Sequence, residues 1–204
     1  MNIIVLDTET INLEKQFIYN LGWVVVDTET GEILETQDLV IDQIWQNKPI
    51  MTTAYYANKK PIYTKKMKGK HTTRTTWGRA CQRLQKSIKQ FNVSDGYAYN
   101  GRFDCKAFKF NHEFYGNKTR PLETIQMHDI MQYIYTIINS PNYERFCRVH
   151  DFITAKGNLK KSAESVYAYL TNNGNYKEEH TALQDSLIET YILLEALKRV
   201  PQVN

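Results

Sequence analysis

The chain has 204 residues, 42% hydrophobic and 24% charged, with a net charge of +4 and three cysteines. A chain of this length buries a core without staples, and no apolar run in it approaches the ~20 residues that cross a bilayer. The start, MNIIVLDTET, lacks the basic stretch of a signal peptide, and Cys81, Cys105 and Cys147 form no CxxC pair that would mark a zinc or redox motif, so a reducing, cytoplasmic setting is expected.

Residues 2–6 are a short apolar, β-branched run and read as a buried strand. Two further strands, at about 17–26 and 32–41, flank the turn Asp27-Thr28-Glu29-Thr30-Gly31 and form a hairpin. Short helical pieces are expected near 43–45 and 52–58, followed by a Lys-rich loop through Gly69. Trp77, Cys81, Leu84, Ile88 and Phe91 recur at helical spacing, which predicts an amphipathic helix over about 75–91. A strand at 96–99 leads through Asn100-Gly101 into a helix at about 103–114. A short strand follows at 125–128, then a helix near 129–138. Pro141 is read as a break, with helices near 143–152 and 161–171 after it and a last helix over about 179–199. Hairpin first, then alternating strand and helix, points to an α/β architecture with a mixed sheet.

Charge is distributed unevenly. Between Asp42 and Asp95 no acidic residue occurs, yet twelve of the 26 Lys and Arg lie there. Tyr55, Tyr56, Tyr63 and Trp77 are interleaved with them, a combination suited to a polyanion whose bases can stack.

Three groups of polar residues carry chemistry. Asp7 and Glu9, two apart on a strand, face the same way, and paired buried carboxylates without Cys or His suit a hard cation such as Mg²⁺ or Mn²⁺. The same four letters recur at Asp27–Thr30, but Gly31 follows at once, so that copy reads as a solvated turn. Asp104 stands in Asn100-Gly101-Arg102-Phe103-Asp104, where a strand ends and a helix begins. Asp185 heads an apolar stripe with Ile188, Ile192 and Ala196 on the last helix. His180, five residues earlier and placed at the start of that helix, has an unperturbed pKa suited to a general base near neutral pH.

DxE on the first strand, then NxxFD, then HxxxxD on the last helix, in this order, resembles the DEDDh family of 3′→5′ exonucleases in the RNase H-like superfamily. The matching residues are Asp7, Glu9, Asn100, Phe103, Asp104, His180 and Asp185, and the resemblance runs from the first strand to the last helix. It implies an RNase H-like α/β core, with a five-stranded mixed sheet flanked by helices, in one domain over 1–204. The segment at about 43–75 departs from the family as a basic, insertion-like stretch.

The resemblance further implies that Asp7, Glu9, Asp104 and Asp185 hold two divalent cations, Mg²⁺ or Mn²⁺, and that His180 takes a proton from the attacking water. Thr10, Ile11, Asn12, Asn100 and Phe103 would then bind the terminal nucleotide of a single strand, with DNA expected ahead of RNA. Asp129 is expected as a supporting acid, and His150-Asp151 as structural. An RNA exonuclease or oligoribonuclease, and a non-catalytic single-strand-binding accessory protein, stand as alternatives. A polymerase partner and a homodimer both stay open.

Overall fold

A computed structural model of the chain describes residues 1–199; the last five residues of the expected domain, 200–204, lie outside the described residues. Strand β1 (Asn2–Thr10) is the axis of the sheet, with β2 (Ile18–Asp27) antiparallel on one side and β5 (Asp95–Ala98) parallel on the other. Outside these lie β3 (Ile33–Ile41), antiparallel to β2, and β6 (Gln126–Asp129), parallel to β5. A short edge strand, β4 (Thr73–Thr75), runs parallel to β3, so the order is β4-β3-β2-β1-β5-β6. The sheet therefore has six strands, not five. Three residues of the basic segment supply the extra one, and so short a polar edge carries no alternation that its sequence could reveal.

The β-branched residues of β1 alternate between two cores. Ile3 and Val5 join Val24 and Val26 against α6 (Ile130–Tyr133), α7 (Tyr135–Ile138), α8 (Pro141–Val149), α9 (Ala163–Leu170) and α10 (Ala182–Leu197). Ile4 and Leu6 join Trp23 and Val25 against α4 (Trp77–Gln90) and α5 (Arg102–Tyr115). Each buried aliphatic side chain of this kind contributes about 1.5–3 kcal/mol relative to exposure. The period of two on β1 therefore also decides which helical layer Asp7 and Glu9 face: that of α10.

The basic segment differs most from expectation. The helical piece expected near 43–45 is α1 (Asp42–Trp45); that expected near 52–58 is replaced by α2 (Lys48–Met51) and a 3-10 turn at Ala57–Lys59; and α3 (Lys60–Lys68) stands where a Lys-rich loop was expected. Pro61 suits the first turn of α3, and Tyr63 buries its ring in a third core with Ile11, Tyr19, Val40, Ile44 and Met51. One aromatic anchor is enough to dock a helix that otherwise faces solvent with lysines, and that leaves little apolar periodicity to read. Pro141 opens α8 instead of breaking the chain, with Ser140 as cap for the Tyr143 N–H. The helix expected near 129–138 is split into α6 and α7 at Ile134. The second DTET turns at Gly31, which takes a positive φ of 74°, and Asp27 accepts the Glu29 N–H there.

Two residues of β2 set where α10 begins. A side chain at Gly22 would run into the backbone of Ala182 and Leu183, so only glycine lets the helix start this close to the sheet. Asn20, fully buried, donates to Asp38 (2.7 Å) and to the Leu39 carbonyl (3.1 Å). Its Oδ1 accepts from the Tyr63 hydroxyl (2.9 Å) and from the Ala182 N–H (2.8 Å). Replacing Asn20 by Ala strands several buried polar groups at once, each costing about 1–3 kcal/mol. Asn20→Ala is expected to lower the unfolding free energy by about 2–5 kcal/mol in urea titration; a loss below about 1 kcal/mol would mean the hub carries little of the stability.

Candidate active site

The C-terminal half of β1 runs into a cleft of about 630 Å³ at the end of the two parallel strands β1 and β5, the usual position for a ligand in an open α/β sheet. Asp7 and Glu9 reach it from β1, Asp104 from the first turn of α5, Asp185 and Glu189 from α10, and Glu178 and His180 from the loop before α10. The four expected acids and the histidine, spread over 179 positions of sequence, thus line one cavity.

Each acid is held by its own element. Asp7 pairs across the sheet with Gly22 and Glu9 with Asn20, and a bulge after Glu9 turns the chain away. Asp104 comes from the opposite helical layer and accepts a 2.7 Å hydrogen bond from the Thr8 hydroxyl, which points to that layer between the two β1 acids. Asn100 stands at φ 58°, a left-handed turn that asparagine tolerates, and donates its N–H to Asp129 (3.0 Å). Asp129 also caps α6 through the Met131 N–H (2.9 Å).

Such crowding suppresses ionisation. Burial pushes the Glu9 and Asp104 carboxyls up to about 7. Asp185 is pushed up to about 9, by burial and then by the nearby Glu178. Asp7 is held well above the usual carboxylate range by burial, then by Glu189 and Asp104. His180 is lowered, by burial first and then by Lys59, which favours neutral imidazole.

These groups fit a divalent cation. Glu9, His180 and Asp185 each offer a ligand atom, all within 4.8 Å of one another. Asp185 also carries a buried Oδ1 with no hydrogen-bond partner among the described residues. Hard carboxylate oxygens gathered in one cleft, which the nearby Lys59 and Lys66 offset only in part, suit Mg²⁺ or Mn²⁺.

Of the residues expected to bind a nucleotide, Asn100 and Phe103 line this cleft. Thr10, Asn12 and Phe103 line a second cavity of about 650 Å³ that shares Glu9, Leu13 and Tyr56 with the first. Asn12 also closes its loop, its Oδ1 accepting from the Lys15 N–H at 2.7 Å. Ile11 lines neither cavity: its side chain is fully buried in the third core, and its N–H and carbonyl are taken by Phe17 and Tyr55. His180 does not begin a helix. It precedes α10 in a left-handed conformation, φ 56°, because α10 starts only at Ala182.

Glu189, Glu178 and Leu13 are among the cleft residues that lay outside the sequence reading. Glu189 is fully buried one turn after Asp185, accepts the Tyr99 N–H (3.1 Å) and is itself held well above the carboxylate range by burial; the i,i+4 spacing was its signal. Glu178 lies with its Oε2 3.5 Å from Nδ1 of His180, and nothing in its spacing marks it. Leu13 lines both cavities while 79% exposed.

No protein-family model and no curated protein matches the sequence. Among solved structures, the chain is similar to the nuclease domain of 3′hExo, a DEDDh family member, bound to rAMP: TM-score 0.60 at 12% identity, over 97% of this chain and 92% of that one. The chain has the fold of DEDDh 3′-exonuclease domains. A full-length 3′-exonuclease matches with TM-score 0.57 and 12% identity over 97% of this chain. Exonuclease I of E. coli, in complex with a dA16 oligonucleotide, matches with TM-score 0.55 and 14% identity over 98% of this chain. The chain spans 60% and 41% of the length of these two.

Raised carboxyl pKa values carry a stability consequence. The metal-free folded protein holds protons that the unfolded chain, with carboxyls near 4, has already released, so it loses stability as pH rises toward 7 at Glu9 and Asp104 and toward 9 at Asp185. The Tm in EDTA is expected to fall from about pH 6 to about pH 9, and Mn²⁺ to reverse most of that fall. Asp185→Asn is expected to raise the metal-free Tm at the alkaline end; a variant less stable than the parent there would contradict the repulsion.

Proposed function

We propose that the protein is a metal-dependent 3′→5′ exonuclease acting on single-stranded DNA. The observation that carries this is the convergence of Asp7, Glu9, Asp104, Asp185 and His180 on one cleft of a DEDDh-type fold. Asp7, Glu9, Asp104 and Asp185 would hold two divalent cations, Mg²⁺ or Mn²⁺, which supply Lewis-acid stabilisation of the charge that develops on the phosphate and the leaving oxygen.

The chain's own groups do the rest. His180, kept neutral by burial and Lys59, accepts a proton from water at a ring nitrogen. The hydroxide attacks the terminal phosphodiester in line, the P–O bond to the 3′ oxygen breaks with its electron pair going to that oxygen, which takes a proton from solvent to become the new 3′-OH, and a 5′-mononucleotide leaves. Thr10, Asn12, Asn100 and Phe103 line the space for the terminal nucleotide beside the acids, and Leu13 and Tyr55 offer exposed apolar surface at its rim. The basic segment, rich in Lys on α3, attracts the phosphates of the strand.

RNA is the second reading, supported by the rAMP bound to 3′hExo, whereas the dA16 bound to Exonuclease I on a similar fold is DNA and favours the first. Discrimination between the sugars depends on contacts to the 2′-OH.

The test uses 5′-labelled single strands of DNA and RNA of one sequence, with Mg²⁺ or Mn²⁺. A ladder shortening from the 3′ end is expected, abolished by EDTA and by Asp7→Ala, with His180→Ala slower by roughly 10²–10⁴-fold. The faster strand identifies the substrate. Tight binding of both strands without shortening of either would replace this reading by that of a binding protein.

A further inference from the structure

The His180 loop has no secondary structure of its own, yet every residue from 179 to 182 is held by the basic segment, directly or through one shared side chain. Lys66 on α3 pairs with the Glu179 carboxylate and donates to the Thr181 hydroxyl (2.9 Å). Tyr56 stacks on the His180 imidazole, 4.4 Å between centroids and 15° between planes. Tyr63 and the Ala182 N–H meet on the same oxygen of Asn20. This segment has a rigid seat of its own, in the core around Tyr63 and Met51, and the Tyr55 ring packs edge-on against Tyr56 at 4.8 Å.

We propose that Tyr56 is a positioning residue for His180, and that the basic segment supports the histidine loop in addition to attracting phosphate. The proposal rests on the reading of His180 as general base. A histidine outside any helix, at a left-handed φ, has a ring free to turn about two side-chain bonds unless something holds its face. Glu178 meets only its edge, at 3.5 Å from Nδ1. Tyr56 covers the flat face and thereby defines the plane in which the ring nitrogens point into the cleft. Loss of such orientation is costly in rate, since a misplacement of about 1 Å can cost on the order of 10²-fold.

The rival explanation for Tyr56, which lines both cavities, is that it stacks on a nucleotide base. The two differ in kinetics: a positioning residue acts on kcat through His180, whereas a base platform acts on KM and ignores His180.

The experiment measures kcat and KM on a single-stranded oligonucleotide for Tyr56→Ala, Tyr56→Phe, His180→Ala and the double variant Tyr56→Ala/His180→Ala. Tyr56→Ala is expected to lower kcat about 10–100-fold with KM within about threefold, Tyr56→Phe to restore most of kcat, and the double variant to be no slower than His180→Ala alone. Thermal unfolding checks that Tyr56→Ala is folded. If it is not, Lys66→Met, which frees Glu179 and Thr181, takes its place with the same expected loss of kcat and the same dependence on His180. A raised KM with unchanged kcat, or an equal loss of kcat in the His180→Ala background, overturns the positioning role while leaving the general base intact. Full activity of His180→Ala by itself overturns the general-base reading, and this one with it.

Discussion

Mutual repulsion among buried carboxylates is the constraint around which the structure is arranged. Asp7, Glu9, Asp104, Asp185 and Glu189 are brought together at one cleft, where burial first and neighbouring carboxylates after it hold each of them toward the protonated form. A fold that gathers such groups loses stability unless a cation or a proton neutralises them. Rigid elements must therefore hold each acid in place: β1 for two of them, the start of α5 for a third, and α10 for two more. The hydroxyl of Thr8 and the N–H of Tyr99 offset part of the cost by donating to Asp104 and Glu189. The Oδ1 of Asp185, without a hydrogen-bond partner among the described residues, marks where that compensation stops and a metal ion would take over.

Holding α10 against the sheet then becomes the central structural problem, and β2 solves it with two residues. Gly22 removes the side chain that would keep the helix away. Asn20 uses its amide to join β3, the basic segment and the first N–H of α10. Because the hub is buried and fully bonded, it fixes relative position more sharply than apolar contact would, since each group left unpaired in a shifted arrangement costs a desolvated hydrogen bond.

Opposite charges are kept on adjoining parts of the same face. The cleft is acidic, and the segment beside it carries lysines without a single acid. A polyanionic strand would be repelled by the first and attracted by the second, so approach of substrate and binding of cations favour each other. Lys66 also neutralises Glu179 at the mouth of the cleft, and Lys59 favours neutral His180. The segment therefore acts on the cleft electrostatically as well as by packing.

Much of this was legible in residue order. The β-branched runs of the first three strands, the spacing of Trp77, Cys81, Leu84 and Ile88 on α4, and the glycine that turns the second DTET are local signals, because the partners that matter lie within a few residues. The acids Asp7, Glu9, Asp104 and Asp185 each stand at a strand or helix end, but what made them legible was their order along the chain with Asn100, Phe103 and His180, which resembles the DEDDh pattern. Contacts between distant segments carry no such mark. The short strand β4 and the helix α3 exist because Tyr63 and its neighbours dock on a core supplied by β2 and β3. Ile11, beside the acids in sequence, turns into that core and away from the cleft. Glu178 and Tyr56 reach His180 from a loop without period and from 124 positions away. By itself the sequence determined five of the six strands, most of the helices and four of the cleft's acids; the tertiary structure alone decided the edge strand β4 and how the histidine is held, because packing and hydrogen bonding across the fold, not spacing along the chain, set their surroundings.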